Sequence, residues 1–252
     1  MNVEEQFTAS ASTYHSQAIV QKQIADLLFE KIQKYSNELP TNVQELGSGT
    51  GFLSHQIGEW MQEGVFVIQD LSLAMLMQNQ MHFPATKVHT HFLEGDFRKK
   101  AWSKCSDWIC SSSAIQWVED FPVILASNYQ TRISNCKYAF STFSPHNFEN
   151  LKFTFEQAFG QKFPETIQTH SLEFWEKHLE EMKVRILCLE EVKIQQEFSS
   201  LKDLLKSFPL TGTRSPNKTS MSLSGFKKWE ALLKEKSHPI TLDWVAQILI
   251  FE

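Results

Sequence analysis

Apolar positions along the chain follow two patterns that alternate as far as about residue 143. Residues 65–68 form a continuous apolar run, which is typical of a strand buried on both faces of a parallel sheet. Residues 20–35 instead place their apolar side chains at helical spacing. The alternation predicts strands at 42–46, 65–70, 90–94, 107–110 and 138–143, with helices at 20–35, 52–61, 72–77 and 123–133.

Strands that alternate with helices predict a doubly wound, mostly parallel α/β sheet of the Rossmann-like kind. Residues 185–198 and 245–251 indicate two closing strands, an antiparallel pair at one edge that brings the sheet to seven strands. The long connection between them contains helical patterns at 201–208 and 226–234, and connections of such length often form lids. We predict a single domain over residues 1–252, with an N-terminal helical lid at about 1–35 and a cap insertion at about 199–240.

Composition excludes several other classes of protein. The chain has 252 residues, of which 42% are hydrophobic, and no apolar run approaches the roughly 18 residues of a membrane span. Four cysteines without a C-x-x-C pair and nine histidines without H-E-x-x-H predict neither a disulfide framework nor a metal site. The first residues lack the features of a signal peptide, so we expect a cytoplasmic protein with no membrane association. The net charge of −5 argues against broad nucleic-acid binding.

The stretch E-L-G-S-G-T-G at residues 45–51 ends the first predicted strand and precedes a helix. Glycines at such a turn permit positive φ and let a ligand approach the backbone, while the helix N-terminus offers free N–H groups. A dinucleotide fingerprint needs G-x-G-x-x-G, but Phe52 occupies its sixth position, and a P-loop would need Gly-Lys-Ser/Thr. E-L-G-x-G-x-G is instead the pattern of S-adenosylmethionine (SAM) methyltransferases. The alternative, a glycine turn without a ligand, leaves three clustered glycines without a purpose.

Acidic residues at successive strand ends extend the predicted SAM site. Asp70 ends the second strand, where a carboxylate accepts hydrogen bonds from both ribose hydroxyls, or it is a helix-start charge. Asp96 follows the third strand and is placed to meet the adenine amino group beside Phe97, or it is a turn aspartate. Glu45 is a partner for the methionyl ammonium. The predicted cofactor-binding residues are Glu45, Gly47, Ser48, Gly49, Gly51, Asp70, Leu71, Asp96, Phe97 and Ser112.

Methyl transfer from a sulfonium to a carboxylate needs little chemical machinery from a protein. A carboxylate nucleophile is already ionised at neutral pH, so no general base is required. Such a site works by aligning the reactants and excluding water. The residues considered alone therefore leave the acceptor open.

Four stretches carry a more specific pattern. They are F-T-A-S-A-S-T-Y-H-S-Q-A at 7–18, D-L-S-L-A-M-L at 70–76, S-S-S-A-I-Q-W-V at 111–118 and F-S-T-F-S-P-H-N-F-E-N-L at 140–151. Together they resemble the malonyl-acyl-carrier-protein O-methyltransferases of biotin synthesis, in register over about residues 7–151 and more loosely beyond. The chain departs from that family at Ser48, Ser112, Ser144 and residues 134–137, where the family has cysteine, asparagine, glycine and a Pro-Gly-Gly turn.

The resemblance implies the class I methyltransferase fold and methylation of the free carboxylate of a malonyl thioester on acyl carrier protein or coenzyme A. It also implies that Tyr14, Gln116 and Trp117 line the methyl-transfer pocket, with Tyr14 bonding or shaping the acceptor carboxylate. Core packing is the alternative for Tyr14 and Trp117. Arg132 is either an ion-pair partner for an acidic acceptor or a surface residue of a helix.

Acyl carrier proteins are acidic, so a docking surface for one needs basic residues near the pocket. We predict that Lys202, Lys206, Arg214 and Lys218 in the cap form this surface, and a solvated face is the alternative. We expect a monomer. Two other functions stay open from the sequence. One is a SAM-dependent methyltransferase of another small carboxylate or a quinone-type acceptor, and the other is a non-catalytic SAM-binding partner protein.

Overall fold

The computed structural model describes residues 2–100, 102–132, 135–164, 167–211 and 221–252. Strands of the described residues form one sheet: β1 (Asn42–Leu46), β2 (Val65–Asp70), β3 (His89–Glu94), β4 (Trp108–Ser112), β5 (Lys137–Phe143), β6 (Ile186–Phe198) and β7 (Ile240–Phe251). Their spatial order is β3-β2-β1-β4-β5-β7-β6, with β1 to β5 parallel and β7 antiparallel to both of its neighbours. The predicted seven-stranded, mostly parallel sheet with an antiparallel pair at its edge is confirmed.

Helices connect these strands and cover the sheet. They are α1 (Val3–Gln17), α2 (Ile19–Tyr35), α3 (Phe52–Trp60), α4 (Leu73–His82), α5 (Phe121–Gln130), α6 (Glu149–Phe159), α7 (Leu172–Glu181), α8 (Leu201–Leu210) and α9 (Leu223–Lys236). A 3-10 turn (Ile115–Trp117) follows β4. In the part of the chain that the structure describes, no helix combines the length and the apolar character needed to cross a bilayer.

Three elements depart from the sequence prediction: β7 differs in its first residue, and the sequence pattern predicts neither α6 nor α7. β7 begins at Ile240 rather than at residue 245. The sequence pattern missed its first half, in which buried and partly exposed side chains alternate instead of forming an apolar run. α7 has no predicted counterpart, although Ser171 caps it by accepting a hydrogen bond from the Phe174 N–H. All three elements lie after the parallel half of the sheet, where the alternation of strand and helix ends.

Helices pack on both faces of the sheet. On one face, Leu28 of α2 and Leu53 of α3 belong to a buried apolar cluster with the β1–β2 strands. On the other face, Leu125 of α5 and Leu179 of α7 are buried against β4 and β5. Complete burial of a leucine side chain contributes roughly 1.5–3 kcal/mol. The helices on the two faces therefore hold β1, β2, β4 and β5 in place, and the loops at the carboxyl ends of β1, β2 and β4 form part of the cavity described below.

The β6–β7 ladder extends beyond the sheet at the edge where β1 to β5 end. Phe143, the last residue of β5, pairs with Ala246, whereas β6 and β7 stay paired as far as Phe198 and Ile240. Residues 240–245 therefore run about 20 Å past β5. The segment between Phe198 and Ile240, which contains α8 and α9, begins and ends at this edge.

The helices of this insertion pack against the N-terminal helices. Leu201 and Leu204 of α8 and Trp229 of α9 share a buried cluster with Val20 and Ile24 of α2. α8 also contacts α1. This packing joins the two regions that we predict to be the cap and the lid, whose residue bounds stay predictions.

Candidate active site

A cavity of about 380 Å³ opens at the carboxyl ends of β1 to β4. Its volume lies in the range of roughly 300–1,000 Å³ that is usual for small-molecule sites. The loops that follow these four strands form its floor, and Phe7 and Tyr14 of α1 with Gln21 and Ala25 of α2 form its cover. Nine of the ten predicted cofactor-binding residues line it: Glu45, Gly47, Ser48, Gly49, Asp70, Leu71, Asp96, Phe97 and Ser112.

The glycines of the loop after β1 have different roles. Gly47, Gly49 and Gly51 have φ angles of +68°, +56° and +98°, in the left-handed region that side chains rarely adopt. A Cβ on Gly47 would lie 2.5 Å from the Cβ of Ala114, and one on Gly51 would lie 2.4 Å from Oδ1 of Asn79. A Cβ on Gly49 would have no neighbour within 4 Å, because it would project into the cavity. Gly51 does not line the cavity and instead lets the loop pack closely at the start of α3.

The Asp70 carboxylate organises this loop. Its Oδ2 accepts a hydrogen bond from the Gly49 N–H at 2.7 Å, and its Oδ1 accepts one from the Ser72 N–H at 2.8 Å. Burial raises the pKa of Asp70, while the hydrogen bonds from the backbone N–H groups of Ser72, Gly49 and Leu71 lower it. A carboxylate has about four acceptor positions, so Asp70 retains capacity for the hydroxyls of a ligand.

Glu45 lies beneath the loop and is only 1% exposed. Its Oε2 accepts a hydrogen bond from Oγ of Ser54, which in turn accepts one from Nδ2 of Asn79 at 2.8 Å. Burial raises the pKa of Glu45 to about 8, although the Ser54 hydrogen bond acts in the opposite direction. Such a carboxyl favours a cationic ligand, because ion pairing offsets the cost of burying its negative charge.

Asp96 and Phe97 line the cavity after β3, and Asp96 already has a partner. The Arg98 Nε donates to both carboxylate oxygens, at 2.8 and 3.0 Å, and its Nη2 donates to Oδ2 at 2.7 Å. These hydrogen bonds lower the pKa of Asp96, which therefore stays ionised. The Arg98 guanidinium therefore occupies carboxylate oxygens that Asp96 would need for the predicted hydrogen bond to adenine.

An aromatic group covers part of the cavity. The ring centroid of Phe7 lies 6.0 Å from that of Tyr14 and 5.4 Å from that of Trp117, both in edge-to-face geometry. Tyr14 and Trp117 both line the cavity. Burial, together with the nearby Asp70 carboxylate, raises the pKa of Tyr14, so its phenol remains a neutral hydrogen-bond donor.

Gln116 does not line the cavity with Tyr14 and Trp117. Its Nε2 donates to the Ser113 carbonyl at 2.7 Å, and the residue is 4% exposed. The 3-10 turn directs Gln116 into the protein and Trp117 towards the cavity. The structure therefore corrects the expectation for Gln116, which supports the turn that carries Ser113 rather than the wall of the pocket.

Two side-chain contacts hold α1 over the cavity. Oγ1 of Thr8 lies 2.9 Å from Oγ of Ser72, at the start of α4. Nδ1 of His15 lies 3.2 Å from Oγ1 of Thr50, within the glycine loop. α1 is thus tied to both segments that frame Asp70.

Arg132 lies at the opposite edge of the sheet. It lines a separate cleft with Asp107, just before β4, and Lys137, the first residue of β5. Its Nη1 donates to the Tyr129 carbonyl at 2.8 Å, and its guanidinium lies 3.3 Å from the centre of the Tyr129 ring. The expectation that Arg132 pairs with an acceptor is corrected, because a helix leading into β5 ends where the parallel strands begin.

The predicted basic group of the cap is described only in part. Lys202 and Lys206 are exposed on α8, whose buried side contains Leu201 and Leu204. Arg214 and Lys218 lie outside the described residues.

Sequence reasoning missed several residues of the cavity wall. These are Thr50, Phe52, Leu53, Met75, Arg98, Lys99, Ser113 and Ala114.

The Oγ atoms of Ser48 and Ser113 are buried without a hydrogen-bond partner among the described residues, which is the state expected of groups that a polar ligand satisfies. With the buried carboxylates and the open position at Gly49, they fit a ligand that carries an ammonium and hydroxyl groups, as SAM does. Within the described ranges, no three His, Cys, Asp or Glu side chains are grouped so that they could hold a metal ion.

Solved methyltransferases share this fold. A Bacillus halodurans protein assigned to the methyltransferases aligns with a TM-score of 0.62 at 11% identity, over 89% of this chain and 97% of that one. Magnesium protoporphyrin IX methyltransferase from Synechocystis, with bound SAH, aligns with a TM-score of 0.57 at 15% identity, over 93% and 84% of the two chains. The chain therefore has the fold of the class I methyltransferases.

Curated proteins of one description are similar to the chain over most of its length. Malonyl-[acyl-carrier protein] O-methyltransferase from Acinetobacter baylyi is 26% identical over 238 residues, which cover 89% of this chain and 85% of that protein. Its counterpart from Ilyobacter polytropus is 25% identical and covers 93% and 86%. The protein from Magnetococcus marinus is 31% identical over 56% of this chain and 53% of its own length. No protein-family model matches the chain. The resemblance stated from the sequence is confirmed.

Proposed function

We propose that the protein methylates the free carboxylate of a malonyl thioester on acyl carrier protein, which gives the malonyl methyl ester that starts pimeloyl synthesis for biotin. The observation that carries this proposal is the covered cavity in which buried carboxylates at successive strand ends meet an aromatic group from α1. The similarity to proteins of that name over 89% of the chain supports the choice of acceptor.

The cofactor half of the site follows the order of the strands. Glu45 after β1 would pair with the methionyl ammonium, Asp70 after β2 would accept hydrogen bonds from the ribose hydroxyls, and Phe97 after β3 would hold the base. SAM, when bound, supplies an electrophilic methyl group on its sulfonium. The protein contributes orientation and a cavity from which α1 excludes water.

The acceptor half is the aromatic group of Phe7, Tyr14 and Trp117. A malonyl carboxylate is ionised at neutral pH, so the site needs a donor to orient it rather than a base. Tyr14 meets this need because its raised pKa keeps the phenol protonated. Esterification then removes the charge, so that the acyl group can enter an apolar synthesis site without burying an unpaired carboxylate.

The acidic carrier is proposed to dock on the cap. Lys202 and Lys206 are exposed on α8, and α8 contacts α1, whose side chains cover the cavity. The sequence also assigns Arg214 and Lys218 to this surface, and both lie outside the described residues. This position would bring the thioester arm to the mouth of the cavity beside the lid.

The test is transfer of an isotope-labelled methyl group from SAM to malonyl-acyl carrier protein, malonyl-CoA and free malonate, compared side by side. We expect the carrier-bound substrate to give the highest kcat/KM. Faster transfer to a free acid or a quinone-type acceptor would replace the proposed substrate. SAM binding without transfer to any acceptor would instead indicate a non-catalytic partner protein. Rescue of a biotin-requiring strain that lacks this step tests the same proposal in cells.

A further inference from the structure

The ion pair between Asp96 and Arg98 uses the acceptor capacity of the carboxylate. Besides the three guanidinium hydrogen bonds, the Arg98 backbone N–H donates to Oδ1 of Asp96 at 3.0 Å. Each carboxylate oxygen thus accepts two hydrogen bonds. A carboxylate has about four such positions, so Asp96 has none left for a further donor.

The same carboxylate lies where the base of the cofactor belongs. The strand order β1-β2-β3 places Glu45, Asp70 and Asp96 in one row along the cavity. The Gly95 N–H donates to the Asp70 carbonyl at 2.9 Å, which fixes Asp96 next to the proposed ribose position. A ligand with its ammonium at Glu45 and its ribose at Asp70 therefore presents its base to Asp96, and the exocyclic amino group of adenine is a hydrogen-bond donor.

We infer that Arg98 is a positioning residue that sets cofactor affinity and base selectivity, because its guanidinium competes with the adenine amino group for Asp96. The Arg98 side chain is 43% exposed at the cavity wall, so it can turn into solvent when the base is bound. Lys99 does not replace it, since its Nζ lies 3.8 Å from Asp96 and its side chain is 80% exposed. The inference rests on SAM as the cofactor and is independent of the acceptor.

Binding of S-adenosylhomocysteine (SAH), the demethylated product, isolates this competition from methyl transfer. Calorimetric titration is carried out with the wild type, Arg98→Ala, Arg98→Lys and Lys177→Ala. We expect Arg98→Ala to bind SAH about fivefold more tightly, which is the scale of a partly exposed ion pair. Arg98→Lys should fall between wild type and alanine, because lysine lacks the planar fork of donors. Lys177→Ala removes a positive charge from a 79% exposed position of α7 that does not line the cavity, so it is the control and should leave the Kd unchanged.

S-inosylhomocysteine provides the second arm, because its base has a carbonyl in place of the amino group. It cannot donate to Asp96, so Arg98→Ala should bring it no gain in affinity. A gain shared equally by both ligands would indicate a general electrostatic or structural effect and overturn the inference. Unchanged or weaker SAH binding by Arg98→Ala, at an unchanged melting temperature, would also overturn it. If the wild type and all variants failed to bind SAH, both this inference and the assignment of SAM as the cofactor would be wrong.

Discussion

The backbone N–H of Gly49 donates a hydrogen bond to the carboxylate of Asp70 across 2.7 Å, so the glycine loop and the proposed ribose carboxylate form one unit. Removing this carboxylate takes away the anchor of the loop together with its contact to the cofactor. We expect Asp70→Ala to weaken SAH binding at least tenfold, because hydrogen bonds to charged groups contribute about 1.5–3 kcal/mol. Asp70→Asn retains an acceptor and should lose less. Calorimetry measures both, and an unchanged Kd for Asp70→Ala would remove Asp70 from the site.

The glycine loop offers a test with an internal control. Gly47 and Gly160 both have left-handed backbones, with φ of +68° and +66°, but only a Cβ on Gly47 has a close neighbour. Backbone strain of roughly 1–2 kcal/mol applies to both alanine variants. We expect Gly47→Ala to lose more unfolding free energy in urea and also to weaken SAH binding, while Gly160→Ala loses stability alone. Equal SAH affinity in the two variants would contradict a cofactor-binding role for the loop.

The raised pKa of Glu45 leads us to expect a cofactor affinity that depends on pH. Its pKa in the free protein is about 8, so the group is largely protonated at pH 7 and becomes a partner for an ammonium only as pH rises. SAH affinity should therefore increase between about pH 6 and 8, by up to tenfold per pH unit, and level off above pH 8. Glu45→Gln should flatten this profile. A wild-type Kd independent of pH would show that the ionised form of Glu45 is not required.

The same shift affects stability in the opposite direction. The folded free protein holds the Glu45 proton up to about pH 8, whereas the unfolded chain releases it near the ordinary value of 4.5. The contribution of Glu45 to stability is thus fully present below about pH 4.5 and is lost as pH rises through 8. Urea unfolding of wild type and Glu45→Gln across this range, without cofactor, measures the difference.

Tyr14 separates acceptor chemistry from cofactor binding. Tyr14→Phe keeps the ring that packs against Phe7 and removes only the hydroxyl. We expect kcat/KM for the malonyl substrate to fall about tenfold, which corresponds to one hydrogen bond to a charged group, with SAH affinity unchanged. Steady-state kinetics, with calorimetry of SAH binding as the control, distinguishes a role of Tyr14 in acceptor binding from a role in packing. Undiminished kcat/KM would assign Tyr14 to packing alone.

Charge reversal tests the proposed docking surface. Lys202→Glu combined with Lys206→Glu should raise the KM for malonyl-acyl carrier protein several-fold and leave that for malonyl-CoA and the Kd for SAH unchanged, because only the carrier is a large acidic partner. Lys177→Glu, at a 79% exposed position of α7, is the matched control. If the double variant and the control behaved alike, the carrier would dock elsewhere.

The parallel half of the fold and the floor of the cavity were predictable because both follow from local sequence. Strands with continuous apolar runs, glycines at a turn and aspartates at strand ends each have a short-range signal. α1 lacks this kind of signal, since its apolar residues are sparse. Its helix begins with a capping box between Asn2 and Glu5 and is completed by packing over the cavity, so its position depends on tertiary contacts.

Side-chain direction was the part that sequence did not determine. A motif places Gln116 beside Trp117, but the 3-10 turn points one inward and the other to the cavity. Arg132 follows Trp117 closely in the sequence, but α5 lies between them and spans the sheet, so Arg132 lies at the opposite edge from the cavity. The pairing of Asp96 with Arg98 depends on the turn after β3, and no periodicity in the sequence reports the geometry of that turn.

Phe198 and Ile240 are partners at the end of the β6–β7 ladder, so the segment between them leaves and rejoins the sheet at one point. The proposed carrier-recognition region consequently joins the sheet at a single pair of residues, and its other attachment is the buried packing of α8 and α9 on α2. Exchange of this segment changes no strand register and none of the loops that hold Glu45 and Asp70. An insertion of different sequence that kept the buried contacts with Val20 and Ile24 would therefore change the proposed docking surface without altering the cofactor site.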